Sequence, residues 1–246
     1  MNLEQLFTYY RLNKDKLEVA AKWVGLPLSQ QVTEIGAGAM GDVYNLYNGL
    51  ALKITDEAAE AKTSLHLLHK HHPNVVEIIK IAKYSIKRDT TSQTNYYFYY
   101  FILQKKYSPN MLTRSIYNMI LNELDIERGE HHPRATTETY QLIPEDSNAK
   151  RAVVNKVLQE LGLDIHGSLD VYTKLLTDLR AGLEFLHHNG IHFEDAHFNN
   201  IMFDKATNNF VIIDLGGGSS SPQETEPEDI VEAKVIRRLL NLYRKA

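Results

Sequence analysis

The chain has 246 residues, an apolar content of 43% and a formal charge of −4 at pH 7. This length suits one large domain or two lobes around a cleft, and the charge gives no reason to expect nucleic-acid binding. The sequence contains no cysteine, which excludes disulfides, thiolate catalysis and cysteine-based zinc sites. The apolar runs are too short to span a membrane and the first residues do not resemble a secretion signal, so a cytoplasmic protein without membrane contact is expected.

The first part of the chain shows the apolar spacing of amphipathic helices and is expected to form an N-terminal helical extension, 1–30. Because it precedes the motifs described below, we expect it to pack on the domain that follows. The single tryptophan, Trp23, is assigned to the core rather than to a contact surface. The apolar residues that set the helical period are Leu3, Leu6, Phe7, Tyr10, Leu17, Ala20, Ala21 and Val24.

A glycine motif of the form G-x-G-x-x-G, made by Gly36, Gly38 and Gly41, follows this extension. In a dinucleotide-binding turn a motif of the same form must be followed directly by a helix. Here two strand-like runs follow instead, separated by Asn48-Gly49, and Asn-Gly between apolar runs is the strongest short signal for a β-hairpin. We therefore predict a strand, a tight turn and a second strand.

The second strand of that hairpin has apolar residues at alternate positions. Leu50, Leu52 and Ile54 fall on one face, and Ala51 and Lys53 fall on the other. A lone lysine on a strand is usually a solvated residue that discourages aggregation. That alternative is set aside for Lys53 because the lysine stands in order with the other motifs given below.

A helix over about Asp56–Lys70 is predicted next, with Thr55 or Asp56 as its N-cap. Two acidic residues near its start, Glu57 and Glu60, lie three positions apart and therefore on one face. The apolar stripe of this helix is expected to consist of Ala61, Leu65 and Leu68.

An aromatic and aliphatic run, Tyr96–Leu103, predicts a central strand. An aromatic platform for single-stranded nucleic acid is the alternative. Consecutive side chains of a strand alternate between its faces, so these aromatic rings would not form one surface. The strand interpretation is therefore favoured.

Residues 108–168 have the weakest pattern and are interpreted as an insertion with helical patches at Met111–Leu124 and Lys150–Leu161. The pair His131-His132 could suggest a metal site, but adjacent side chains point apart and no further ligand stands at suitable spacing. A long helix, Leu169–His188, is predicted next. Its period rests on Leu175, Leu176, Leu179, Leu183 and Leu186.

Two short strands, Asn200–Asp204 and Phe210–Ile213, are predicted beyond this helix and are joined by turn-forming residues. Such a hairpin would bring Asn200 close to Asp214. A loop rich in glycine, serine and acidic residues follows, and a closing helix is predicted over Asp229–Tyr243.

Several sequence features stand in a characteristic order: the glycine motif, Ala51-Leu52-Lys53, Asp195 with Asn200 five residues later, and Asp214-Leu215-Gly216. Over about residues 31–216 this order resembles the protein-kinase-like superfamily. The resemblance implies an α+β, bilobal fold with a strand-rich N-lobe, 31–103, and a reduced, mainly helical C-lobe, 104–246, that carries the insertion. The short C-lobe is similar to that of small bacterial or phage kinases and effector-type Ser/Thr kinases.

The resemblance implies Mg-ATP-dependent transfer of the γ-phosphate to a hydroxyl acceptor. On this basis Lys53 reaches the α and β phosphates, Asp195 orients the acceptor hydroxyl, and His197 contacts the transferring phosphate. Asn200 and Asp214 are the expected ligands of Mg²⁺. The residues implied to surround ATP are Gly36, Gly38, Gly41, Val43, Ala51, Lys53, Glu60, Gln104 and Lys106.

Glu60 is preferred to Glu57 as the acidic partner of Lys53. Glu57 is expected in the first turn of its helix, where the helix dipole already explains an acidic residue. The choice between the two stays open at this point.

The chain also departs from the protein-kinase pattern. Glu194 stands where most protein kinases have an arginine, and no Ala-Pro-Glu follows Asp214. Control by phosphorylation of an activation loop is therefore not expected, and an activating protein partner is a candidate. Ser or Thr of a protein substrate is the favoured acceptor. A small-molecule kinase of the aminoglycoside or choline type and a catalytically silent nucleotide-binding pseudokinase are the alternatives.

Overall fold

The computed structural model describes residues 1–38, 41–88, 95–109, 165–193 and 200–215. Within these ranges the chain is α+β, with mostly antiparallel strands and a few helices. The assignment to a kinase-like bilobal fold, with its lobe boundaries, stays a prediction. Several predicted features lie outside the described residues: the helices at Met111–Leu124, Lys150–Leu161 and Asp229–Tyr243, together with Asp195, Glu194 and His197.

The chain divides into two compact units, which are described separately. The first contains Met1–His72, Val76–Lys106 and Asp214. The second contains Pro73–Val75 and the described residues from Tyr107 to Ile213. In the described part of the chain, no helix is both long enough and apolar enough to cross a membrane.

The first unit begins with the two helices that the N-terminal pattern predicts, α1 (Leu3–Tyr9) and α2 (Lys14–Val24). Asn2 and Gln5 form a capping box at the start of α1, with each side chain accepting from the other residue's N–H at 2.9 Å. Trp23 is half-buried and packs against the core, in agreement with its assignment.

The first unit is built on a five-stranded antiparallel sheet in the order β1-β2-β3-β5-β4. The predicted strand, tight turn and strand around Asn48-Gly49 is confirmed: the Asn48 side chain accepts from the Leu50 N–H at 3.1 Å, and Gly49 has a φ of +82°. The strands are β1 (Thr33–Gly38), β2 (Gly41–Asn45), β3 (Leu50–Thr55), β4 (Ile78–Arg88) and β5 (Asn95–Lys105).

Strand β5 is interior to the sheet, as its apolar run predicts, and it extends two residues beyond the expected end at Leu103. Its aromatic side chains alternate between the two faces. Tyr99 and Phe101 pack toward α1 and α2, whereas Phe98 and Tyr100 lie on the other face beneath the ammonium of Lys83. The rings therefore do not form one continuous stacking platform.

Helices α1 and α2 cover one face of this sheet and form its main core. The ring of Phe7 stacks on Phe101 with centroids 5.6 Å apart, and both side chains are fully buried. Leu52 and Ile54 of β3 enter the same core, as the alternation along β3 predicts. Their burial leaves Lys53, between them in sequence, on the opposite face.

Helix α3 (Ala58–Leu67) is shorter than the predicted range Asp56–Lys70. Its N-cap is Glu57, which makes no capping hydrogen bond with its side chain, so the expected cap at Thr55 or Asp56 is wrong. Thr55 instead accepts from the Glu57 N–H at 3.0 Å and closes the turn before the helix.

The predicted apolar stripe of α3 is also corrected by the structure. Leu65 is 60% exposed, because the buried face of the helix is shifted around its axis. That face includes a charged side chain, which the apolar pattern could not reveal. The buried residues are Glu60, Ala61, Ser64 and Leu67.

The second unit contains the long helix α4 (Ile165–His188) and a three-stranded sheet in the order β6-β7-β8. Helix α4 begins four residues earlier than predicted, and Leu175, Leu179, Leu183 and Leu186 are buried as expected. The strands are β6 (Ser108–Pro109), β7 (Ile201–Asp204) and β8 (Asn209–Ile212). The predicted β7–β8 hairpin is therefore confirmed, with β7 beginning one residue later than expected and β8 lying one residue earlier.

Two buried polar side chains hold β8 in the second unit. The backbone carbonyl of Asn74 accepts from the Ile212 N–H at 2.9 Å, and the Asn74 side chain donates to the Phe210 carbonyl at 3.0 Å. Asp178 of α4 accepts from the Phe210 N–H at 2.8 Å. Of these three backbone groups of β8, two are thus satisfied by side chains and the third by the backbone of Asn74.

Gly182 lies at the closest approach of α4 to this edge. A Cβ atom at that position would be 2.8 Å from the Asn74 carbonyl oxygen and 2.9 Å from Cδ1 of Ile212. The absence of a side chain is therefore a packing requirement.

We expect Gly182→Ala to lower the free energy of unfolding by about 1–3 kcal/mol, as overpacking of a core does. In an unobstructed helix the same change would stabilise the protein by roughly 1 kcal/mol. Urea denaturation measures the difference, with Glu184→Ala on the exposed side of α4 as the control. A Gly182→Ala variant as stable as the wild type would contradict the packing described.

Candidate functional site

The most unusual side chain of the first unit is Lys53, a lysine that is only 4% exposed. Its ammonium contacts a carboxylate oxygen of Glu60 and lies 2.8 Å from Oδ1 of Asp214. A buried ammonium is costly unless it is paired and hydrogen-bonded. The two carboxylates supply that compensation.

The position of Glu60 follows from where α3 begins. The helix starts at Ala58, which places Glu60 in its first turn and directs it to Lys53 on the face of β3 opposite α1 and α2. Glu57 precedes the helix and one of its carboxylate oxygens is buried with no hydrogen-bond partner among the described residues. Of the two candidates from the sequence, Glu60 is therefore the one that pairs with Lys53.

Asp214 has a backbone conformation that non-glycine residues seldom adopt. Its φ is +54°, in the left-handed region, where aspartate and asparagine are the best tolerated after glycine. Its side chain is 33% exposed, in contrast to the nearly buried side chain of Glu60. Strained conformations of this kind occur preferentially at functional sites.

The pKa values of Lys53 and Glu60 are both shifted from their usual values. Burial by itself would lower the pKa of Lys53, but the negative charges of Glu60 and Asp214 outweigh it and raise that pKa above its usual value. Burial also raises the pKa of Glu60 to about 7, and the attraction of Lys53 offsets this only in part. One oxygen of Glu60 has no hydrogen-bond partner among the described residues, which fits a carboxyl that gains a proton easily.

The glycine motif forms the hairpin between β1 and β2, where Gly38 pairs with Gly41. Gly41 has a φ of +132°, and a Cβ there would lie 2.4 Å from the Ile54 carbonyl oxygen. The hairpin backbone therefore presses directly on β3. No helix follows the motif, so it is not a dinucleotide-binding turn.

Strand register places many of the predicted nucleotide-binding residues on one face of the sheet. Gly36 pairs with Val43 and Val43 pairs with Lys53, while Ala51 pairs with Gln104. Residues that pair across antiparallel strands share a face. This face, which we call the Lys53 face, carries Gly36, Val43, Ala51, Lys53 and Gln104.

Lys106, one of the residues implied to surround ATP, already uses its backbone N–H in another contact. The Lys106 N–H donates to the Gly49 carbonyl at 2.9 Å, and the Lys105 N–H donates to the Glu77 carbonyl at 3.0 Å. Any contact between Lys106 and a nucleotide must therefore use other atoms of that residue.

The second unit contains Asn200, one of the two predicted metal ligands. It is 5% exposed, and its carbonyl accepts from the Ile213 N–H at 2.8 Å, which extends the β7–β8 pairing by one step. Its role with Asp214 stays a prediction, as do those of Asp195 and His197. Among the residues that the structure describes, no three His, Cys, Asp or Glu side chains form a group that could hold a metal ion.

The sequence did not point to Asp42 or to the role of Tyr10. Tyr10 ends α1, and its hydroxyl donates to the carboxylate of Asp42, 32 positions later. No local pattern signals a contact between residues so far apart.

A scan against models of known protein families finds no match to this chain, and neither does a comparison with curated proteins. The functional interpretation therefore depends on the residues themselves and on their geometry.

The raised pKa of Glu60 predicts a pH dependence of stability. The folded protein keeps a proton on Glu60 up to about pH 7, whereas the unfolded chain releases it near 4.5. The contribution of this group is fully present below its unfolded pKa and is lost as the pH rises through its folded pKa. We expect the free energy of unfolding to fall between these values, by at most about 1.4 kcal/mol per pH unit.

Urea denaturation of the wild type and of Glu60→Gln from about pH 4.5 to about pH 7.5 tests this, since the slope should be shallower in the variant. Glu18→Gln on the exposed side of α2 is the matched control. Parallel profiles for the wild type and Glu60→Gln would show that Glu60 does not titrate in this range.

Proposed function

We propose that this protein is a Mg-ATP-dependent phosphotransferase that moves the γ-phosphate to a hydroxyl acceptor, with Ser or Thr of a protein as the favoured acceptor. The observation that supports it most is the buried Lys53 held between Glu60 and Asp214 on the Lys53 face of the sheet. The proposal includes a kinase-like bilobal fold.

Phosphoryl transfer requires mainly positioning and charge compensation from the protein. Lys53 meets the first requirement, because its flexible side chain is fixed by two partners before any ligand arrives. The glycine hairpin is proposed to help with positioning as well, because backbone without side chains can approach phosphate oxygens closely. Gly36 lies on the Lys53 face, next to Val43.

The donor set fits a divalent metal ion. Asp214 offers a partly exposed carboxylate, and Asn200 offers an amide oxygen, which are the ligand types that Mg²⁺ prefers. When bound, Mg²⁺ neutralises phosphate charge and orients the phosphates for transfer. Asp214 and Asn200 are the residues that would hold it.

The charge of the site gives a reason why ATP should require that ion. The positive charge of Lys53 is opposed by Glu60 and Asp214, so the three side chains together carry no net positive charge when both carboxylates are ionised. The phosphates of ATP alone would therefore gain little by approaching them. A divalent ion on Asp214 would reverse this balance.

The acceptor is assigned from the sequence. Asp195 is proposed to orient the attacking hydroxyl and His197 to contact the phosphate being transferred. A protein acceptor is favoured over a small hydroxyl compound by the resemblance alone, and the experiment below distinguishes the two.

The proposal predicts that two single substitutions abolish transfer. Lys53→Ala removes the phosphate-binding ammonium and Asp214→Asn removes the charge of the metal ligand, so each should reduce turnover at least about 100-fold. The matched controls are Lys62→Ala and Asp56→Asn, which change exposed residues of the same types in and beside α3. Turnover of γ-labelled ATP is the measurement.

The position of the label identifies the reaction. Label on protein supports the favoured acceptor, and label on a small molecule supports the aminoglycoside or choline type. ATP binding without any turnover would indicate the silent pseudokinase. Unchanged turnover in both Lys53→Ala and Asp214→Asn would refute the proposed site.

A second prediction concerns the metal alone. Removing divalent ions with a chelator should weaken ATP binding to the wild type at least about tenfold, because the phosphate charge is then uncompensated. In Asp214→Asn the effect of the chelator should be much smaller. Calorimetric titration with ATP measures both affinities, and wild-type binding that is equally tight with and without Mg²⁺ would contradict the assignment of Asp214.

A further inference from the structure

The start of α1 is tied through its backbone to the segment that leads into β1, and α1 and α2 pack on the sheet through their core. The N–H groups of Leu3 and Val32 donate to the carbonyls of Gln30 and Met1, both at 2.9 Å. Phe7, between these attachment points, is fully buried in the core. A polar group presented by this pair is therefore held at a defined place on the sheet.

Tyr10 is such a group, and it lies at the end of α1. Its ring packs edge-on against Tyr44, Tyr99 and Phe101. Its hydroxyl donates to the carboxylate of Asp42 and lies 3.2 Å from the Tyr44 hydroxyl. Burial raises the pKa of Tyr10 and the bond to Asp42 raises it further, so the phenol keeps its proton and remains a donor.

Asp42 stands where the glycine hairpin closes. It directly follows Gly41, and it pairs with Ala37 on β1 and with Ile54 on β3. Ile54 belongs to the core beneath α1 and α2, whereas Val43, the next residue of β2, pairs with Lys53. Asp42 and Lys53 therefore lie on opposite faces of the sheet, and Tyr10 contacts the hairpin from behind the Lys53 face.

We propose that Tyr10 is a positioning residue for the glycine hairpin: through Asp42 its hydroxyl holds the start of β2 in place from the rear of the sheet. The N-terminal helices thereby set the position of the backbone that faces the phosphates. The effect on nucleotide binding, though not on the hairpin itself, rests on the proposed function.

The chain offers closely matched variants for the test. Tyr10→Phe keeps the ring packing and removes the donor to Asp42. Tyr44→Phe removes a neighbouring hydroxyl of the same cluster and leaves that bond intact. Asp42→Ala removes the acceptor, whereas Asp42→Asn retains a carbonyl oxygen that can accept from Tyr10.

The first measurement is hydrogen exchange of the backbone amides without nucleotide. Tyr10→Phe and Asp42→Ala should speed exchange in β1 and the start of β2 about tenfold and leave α1 unchanged, while Tyr44→Phe and Asp42→Asn stay close to the wild type. The second is ATP kinetics with Mg²⁺. The KM for ATP should rise about tenfold in the first two variants with kcat within about twofold, since the chemical groups are untouched.

Exchange in β1 and β2 that is the same in Tyr10→Phe and Tyr44→Phe would overturn the inference. So would faster exchange throughout α1, because it would show that the hydroxyl only stabilises the fold. If hairpin exchange responds as expected but the wild type neither binds nor turns over ATP, the positioning role stands and the proposed function fails. A response of the hairpin with an unchanged KM for ATP would refute the link between this contact and the nucleotide.

Discussion

The candidate site of the first unit depends on one interaction, the pairing of the buried Lys53 ammonium with the carboxylates of Glu60 and Asp214. It joins β3 to the first turn of α3 and to Asp214, which is 161 positions away in the sequence. Apolar residues of similar volume would often stabilise such a location at least as well as buried charges do. The presence of three charges where an apolar cluster would suffice therefore favours a chemical role for them.

The two faces of the five-stranded sheet differ in what they contact. One is covered by α1 and α2 and supplies the apolar core, including the stacked rings of Phe7 and Phe101. The other carries Lys53 and the residues aligned with it by strand register. Because alternate residues of one strand lie on opposite faces, Ile54 enters the core while its neighbour Lys53 pairs with Glu60 and Asp214 on the other side. Packing of Leu52 and Ile54 in the core thus also fixes the part of β3 that carries Lys53.

Local sequence signals predicted the elements that depend on neighbouring residues. The Asn48-Gly49 turn and the β7–β8 hairpin form as expected, because turn chemistry and alternation act over a few residues. The burial of Leu175, Leu179, Leu183 and Leu186 likewise follows from a long regular period. The α+β class, which the resemblance implied, agrees with the elements observed.

The features that could not be predicted from the sequence depend on tertiary contacts. The buried side of α3 differs from the predicted one at Leu65, because that side includes Glu60, a charged residue paired with Lys53 that an apolar pattern does not reveal. The choice between Glu57 and Glu60 depended on where α3 begins, a boundary that pattern reading locates only to within a few residues. The contact of Tyr10 with Asp42 joins a helix end to a strand, and no periodic pattern in the sequence indicates it.

The most direct test of the proposed phosphate site is a crystal structure of the protein with a nonhydrolysable ATP analogue and Mg²⁺. We predict that the nucleotide lies on the Lys53 face, with the Lys53 ammonium within hydrogen-bonding distance of a phosphate oxygen and Asp214 coordinated to the metal ion. Binding of the analogue elsewhere, with Lys53 still held by both Glu60 and Asp214, would contradict the assignment of these residues.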